Sequence, residues 1–225
     1  MPARIIPLVT GQIYHIFNRG INKQPIFLGI SDYIRILDLL EFYSFAAPKL
    51  RFSKFLLLSH AEKSKFWESV RQANNKIVEF MVFCLMPNHF HLLLQQKKDG
   101  GISKFMAIFQ NSYTRYFNIK HKKIGTISQG QFKAVRVEDD YQLLHLSRYI
   151  HLNPYSSFVV KSFADIESYP WSSFPEYLGR AKTEICNTRI ILANFQNVKK
   201  YQKFVLDQAD YQRDLEKIKH QVLES

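Results

Sequence analysis

Residues 76–96 read KIVEFMVFCLMPNHFHLLLQQ, two apolar, strand-like runs from Lys76 to Met86 and from His89 to Gln96 joined by the tight Pro87-Asn88 turn. An antiparallel hairpin is the simplest structure for such a stretch. Upstream, Gln12 to Asn18 (QIYHIFN) alternates as a strand does, and Arg19-Gly20-Ile21-Asn22 supplies the turn that ends it. Between them, Ser31-Asp32 opens a helix whose Ile34, Leu37, Leu40 and Tyr43 keep helical spacing until Pro48. Residues 49–75 read as an insertion or connector with a short helix around Ala61 to Val70. Downstream of Gly100-Gly101, Ile102, Phe105, Met106, Phe109, Tyr113 and Tyr116 form the apolar stripe of a second helix. A basic loop (His121 to Gly125), a fourth strand (Phe132 to Val137) and a third helix from Asp139-Asp140 to about Pro154 follow.

The order is βαββαβα. Two crossovers around a hairpin predict an α+β fold, a ferredoxin-like antiparallel sheet with packed helices. Residues 1–155 are expected to form that domain. Residues 156–225 read as an appendage, an aromatic loop (Ser168 to Gly179) followed by helical sequence.

Hydrophobic residues make up 46% of the chain and charged residues 22%, which excludes wholesale disorder. The apolar run from Phe80 to Met86 is far short of the roughly 20 residues of a membrane span, so no membrane association is expected. The opening Met1-Pro2-Ala3-Arg4-Ile5-Ile6 lacks the pattern of a secretory signal, and Cys84 and Cys186 are too few for a disulfide scaffold. A reducing cytoplasm fits these features. Lys and Arg number 31 against 19 Asp and Glu, a net +12, which calls for acidic partners. The charges are spread among many aromatics and form no polybasic amphipathic helix, so nucleic acid is favoured over membrane.

Two patterns carry chemistry. On a strand, residues i and i+2 share a face, so His89 and His91 can reach one metal ion. The same spacing also describes two half-buried core histidines. On the third helix, Gln142, His145, Tyr149 and Asn153 fall within a sector of roughly 80°. Tyr149 and Asn153, one turn apart, could approach the same phosphate; they could equally be a packed ring and a C-cap before Pro154.

Leu85-Met86-Pro87-Asn88-His89-Phe90-His91 resembles the His-hydrophobic-His motif of single-tyrosine transposases. Tyr149-Ile150-His151-Leu152-Asn153-Pro154 resembles the tyrosine block of their REP-associated branch. Tyr14 to Gly20, Gln129 to Ala134 and Trp171-Ser172-Ser173 are similar to the family in order, and together the blocks span roughly residues 12–179. The resemblance implies a nuclease that cuts single-stranded DNA near a hairpin and rejoins strands. It implies His89, His91 and Asn153 as ligands of Mg²⁺ or Mn²⁺ and Tyr149 as the nucleophile that takes a 5′ phosphate. Insertion-sequence members often carry Gln where Asn153 stands. Related transposases work as dimers that exchange their tyrosine helices, so a second copy of this chain is a further implied partner.

From the ligands alone, two imidazoles suit Zn²⁺ or Mn²⁺ better than Mg²⁺. Arg19, Lys120, Lys122, Lys123, Arg136 and Arg148 are the candidate phosphate contacts, and Trp171 and Tyr177 the candidate base-stacking rings. Tyr113 and Tyr116 sit in an apolar stripe, so packing roles are expected for both, and His15, which lacks a paired ligand, is expected to be a packed or DNA-contacting histidine. A non-catalytic DNA-binding regulator on the same scaffold and a metal-dependent hydrolase using water remain the alternatives.

Overall fold

The computed structural model describes residues 7–46, 50–181 and 184–223; the expected helix stop at Pro48 and the first six residues lie outside these. Among the described residues, four strands and ten α-helices follow in the order β1 (Ile13–Arg19), α1 (Ile30–Tyr43), α2 (Phe52–Phe55), α3 (His60–Gln72), β2 (Val78–Met86), β3 (His89–Gln96), α4 (Gly101–His121), β4 (Lys133–Arg136) and α5 (Asp140–Ser156), then the C-terminal helices α6 (Phe163–Glu167), α7 (Phe174–Tyr177), α8 (Arg189–Leu192), α9 (Val198–Leu206) and α10 (Ala209–Leu223). The sheet order is β2-β3-β1-β4, the arrangement of a ferredoxin-like antiparallel sheet with packed helices. Tyr14 lies opposite Arg136 and Phe17 opposite Lys133 in the antiparallel β1–β4 pair. Bonds from Gly11 N to Gln96 O and from Gly20 N to Asn88 O, both 2.7 Å, mark an antiparallel β1–β3 register. A Cβ on Gly20 would lie 2.1 Å from the Gln24 carbonyl oxygen, so glycine is what lets the turn after β1 close.

Two compact units emerge. The first gathers α1 to α4, and the second holds nearly all of the four strands with α5 to α10. In the first, Phe42 of α1 meets the rings of Phe52, Phe55, Phe66 and Trp67 at 5.0 to 6.2 Å. That apolar payload explains why residues 50–73 form helices, with α3 started by a Ser59–Glu62 capping box. Asp32, fully buried, accepts bonds from Lys120 Nζ (2.6 Å), the Tyr116 hydroxyl (3.1 Å) and Leu28 N (2.9 Å), and meets His121 Nε2 at 3.0 Å.

In the second unit, residues 169–177 and Asn187 cover the outer edge of β2. Leu85 N donates to Trp171 O (2.8 Å), Ser173 N to Phe83 O (3.0 Å) and Asn187 N to Phe80 O (2.7 Å). The Tyr169 and Tyr177 hydroxyls donate to Leu85 O (2.9 Å) and Met81 O (2.8 Å). An uncovered edge strand invites pairing with other chains, and here its polar groups are satisfied from within. The segment expected as an appendage therefore shares a compact unit with the sheet. Tyr177, a candidate stacking ring, is 1% exposed, its face spent on the core.

Candidate active site

His89 and His91 share the face of β3 that the i, i+2 spacing dictates, and β1 adds His15 and Phe17 beside them. Ring centroids lie 5.0 Å apart for His89–His91, 5.1 Å for His15–His91 and 5.8 Å for Phe17–His91. Phe90 and Leu92, of opposite parity, are fully buried.

Hydrogen bonds fix which nitrogen each imidazole offers. The Asn88 amide nitrogen donates to Lys23 O (3.0 Å), so its oxygen is the end that faces His89 Nδ1 at 2.6 Å. Nδ1 must then carry the proton, which leaves the lone pair on Nε2. His15 Nε2 meets His91 Nδ1 at 2.9 Å. When His91 Nδ1–H is the donor there, His91 Nε2 is the free lone pair. Burial pulls His15 down to about 4 and is the main cause that brings His89 to about 4; it holds His91 well below the ordinary imidazole value, with neighbouring His89 and His15 adding to the effect. All three rings are neutral at pH 7, the form in which imidazole binds a metal.

The opposing wall comes from α5, whose start is fixed by Asp139 accepting from Gln142 N at 2.7 Å. The half-buried Tyr149 ring stands edge-on to His91 at 5.8 Å and to His15 at 6.3 Å. One turn on, Asn153 is 4% exposed and its amide nitrogen donates to Tyr149 O at 2.8 Å. That bond leaves the amide oxygen for His89, whose pKa the Asn153 contact raises against the larger effect of burial. Asn153 is not a C-cap: α5 runs through Pro154 to Ser156, with Ser157 N donating to Asn153 O. The other half of the polar stripe lies elsewhere. Gln142 accepts from Glu138 N (2.7 Å), and His145 accepts from Arg148 (2.6 Å) against the Tyr141 ring (4.1 Å).

The neutral donors His89, His91 and Asn153 fit a divalent ion with affinity for nitrogen, Mn²⁺ better than Mg²⁺. Among the described residues no group of three or more His, Cys, Asp and Glu side chains is arranged to hold a metal, so an amide is needed to complete a set.

A cleft of about 770 Å³ opens over His89 and His91, edged by Arg19, Lys23, Lys133, Gln129, Gln131 and Glu216. Of the candidate phosphate contacts, only Arg19 lines it, held by a 2.6 Å bond from its Nε to Gln129 Oε1. Arg136 stands exposed on β4, 3.5 Å from Glu138. Lys122 caps α4 in the left-handed conformation, Lys123 lies over the Phe117 ring (5.6 Å) and Lys120 is tied to Asp32. Arg148 stacks on Phe204 at 4.5 Å, with burial lowering its pKa. Lys23 and Glu216 were missed from sequence because nothing local marks them; Lys133, and Asn88 and His15, the partners that orient the histidines, lay within stretches already singled out.

Residues 52–153 match the family model described as "Transposase IS200 like". That segment is similar to the IS200-like transposases. A solved structure of a REP-associated tyrosine transposase bound to a REP hairpin is similar to the chain with a TM-score of 0.53 at 15% identity, covering 82% of this chain and 90% of that one. At that identity the likeness is one of fold. No curated protein matches the chain significantly. Among the described residues no helix is long and apolar enough to cross a membrane.

Proposed function

We propose that this protein is an IS200-like transposase, a metal-dependent single-stranded DNA endonuclease and strand transferase acting at or near hairpins through a 5′-phosphotyrosine on Tyr149. The observation that carries the proposal is the juxtaposition of Tyr149 and Asn153, one turn apart on α5, with His89 and His91 on β3. One chain supplies all four groups. His89, His91 and Asn153 would hold the Mg²⁺ or Mn²⁺, whose chemistry is Lewis-acid polarisation of a phosphate.

The remaining work falls to the protein's own residues. Arg19, Lys23 and Lys133 at the cleft edge attract the DNA backbone, as the +12 balance of the whole chain does at longer range. The Tyr149 oxygen attacks phosphorus, its proton is released, the phosphorus–3′-oxygen bond breaks and the 3′ oxygen leaves to become a hydroxyl. Bond energy stays stored in the phosphotyrosine, so a 3′ hydroxyl can reverse the step and join strands. Asn153 fixes the backbone at Tyr149, and Asn88 and His15 fix the two imidazoles. The hairpin as ligand is supported by the similar structure, whose protein is bound to one. Residues 156–225 complete the unit that carries the site, and we assign the nuclease chemistry to residues before 156.

A labelled-hairpin cleavage assay with and without Mn²⁺ tests the proposal. Metal-stimulated cutting is expected; binding without cutting would make the protein a regulator.

A further inference from the structure

α10 brings an acidic group to a site otherwise built of neutral donors. Ala209, Gln212, Arg213 and Glu216 recur at i, i+3, i+4 and i+7, so they share one face of the helix. That face lies on α5: Gln212 Nε2 donates to Tyr149 O (3.2 Å) and Ser156 Oγ (3.3 Å), and Arg213 stacks over the Tyr155 and Phe158 rings at 4.2 and 4.4 Å. The Tyr155 hydroxyl donates to Asp210 at 2.8 Å. These contacts seat Glu216, one turn past Gln212, in the wall of the cleft that holds His89 and His91.

Two imidazoles and an amide bring no negative charge, and a nearby anion would offset part of the charge of a divalent cation held by them. Glu216 does not form a direct ligand group with the histidines. An outer-sphere carboxylate remains, accepting hydrogen bonds from water on the cation, as carboxylates beside metal sites do. We propose that Glu216 is the anionic outer-shell partner of a divalent cation seated at His89, His91 and Asn153. Glu216 is in this sense a positioning residue, and its role rests on the metal-site reading given above.

Calorimetric titration of the full chain with Mn²⁺, in the absence of DNA, separates the two. Glu216→Gln keeps shape and removes charge; it should raise the Mn²⁺ Kd by about 10- to 100-fold without moving the thermal midpoint. His89→Ala should abolish binding. Asp214→Asn removes the same charge from an exposed position on α10 and should leave the Kd unchanged. If Glu216→Gln binds Mn²⁺ within twofold of the parent while His89→Ala does not bind, the inference is wrong and the metal site stands. An equal loss in Asp214→Asn would reduce the effect to bulk charge and also overturn it. Tighter DNA binding by Glu216→Gln with unchanged Mn²⁺ affinity would make the carboxylate a guard against phosphate instead. A parent chain that takes no Mn²⁺ would remove the metal reading and this inference with it.

Discussion

His91 and His151 are both buried histidines of the second unit, and burial lowers the pKa of both, His151 to about 3. They differ in what is left over. His151 has both nitrogens bonded, Nε2 to Ser173 Oγ and Nδ1 to the Tyr201 hydroxyl, each at 2.9 Å, within a cage of Phe174, Tyr177 and Tyr201 rings. His91 spends one nitrogen on His15, and His89 spends one on Asn88, beside a cleft. Burial and a depressed pKa thus mark both a core histidine and a candidate ligand. What separates them is that the His89 and His91 rings line a cleft, while the His151 ring has both nitrogens satisfied inside the core.

The largest expected effect comes from exchanging the two roles. His89→Ala should lower metal-stimulated cleavage by more than about a hundredfold with little change in thermal stability. His151→Ala should cost about 3 kcal/mol of stability while each folded molecule keeps its activity; a denaturant midpoint beside a cleavage rate checks both. Equal stability losses in the two variants would erase the distinction. Removing an orienting partner should act more weakly. Asn88→Ala or His15→Phe should weaken Mn²⁺ binding by about 10- to 100-fold, read by calorimetry, with the fold intact by circular dichroism.

How much of this was legible depended on sequence distance. The β2–β3 hairpin and the shared face of His89 and His91 follow from period-2 alternation, and Tyr149 with Asn153 from the 3.6-residue repeat. Local spacing cannot show which turn of a helix reaches a site, so Gln142 and His145 shared the stripe yet lie apart from the cluster. The His15–His91 pair spans 76 residues and required the β1–β3 register. Glu216 required the docking of α10, whose contacts with α5 include the polar side chains of Gln212 and Arg213. The edge covering of β2 was hidden for a related reason: its bonds run mostly through backbone carbonyls and amides, which every sequence possesses.

Acid should reveal the buried histidines collectively. His15 and His89 fall to about 4 and His151 to about 3 when folded, against about 6.5 for an unfolded imidazole. Between those values the unfolded chain binds more protons, so these groups stabilise the metal-free protein fully above about pH 6.5 and lose that contribution as pH falls through 4. Urea midpoints measured at several pH values should decline across that window, and a flat profile would contradict the burial of these rings as neutral groups. The smallest effect belongs to the cleft edge. Lys133→Ala should reduce the slope of log affinity against log salt by about 0.7 for single-stranded DNA, whereas Lys120→Ala, whose ammonium is engaged by Asp32, should leave it unchanged.

Tyr149 is expected to become covalently joined to DNA. Labelled hairpin substrate incubated with Mn²⁺ and the full chain, followed by denaturing electrophoresis and peptide mapping of the adduct, tests it directly. The expected result is DNA attached at Tyr149, with adduct and cleavage both lost in Tyr149→Phe while folding and DNA binding survive. Cleavage that persists in Tyr149→Phe, or an adduct mapped to Tyr113 or Tyr116, would contradict it.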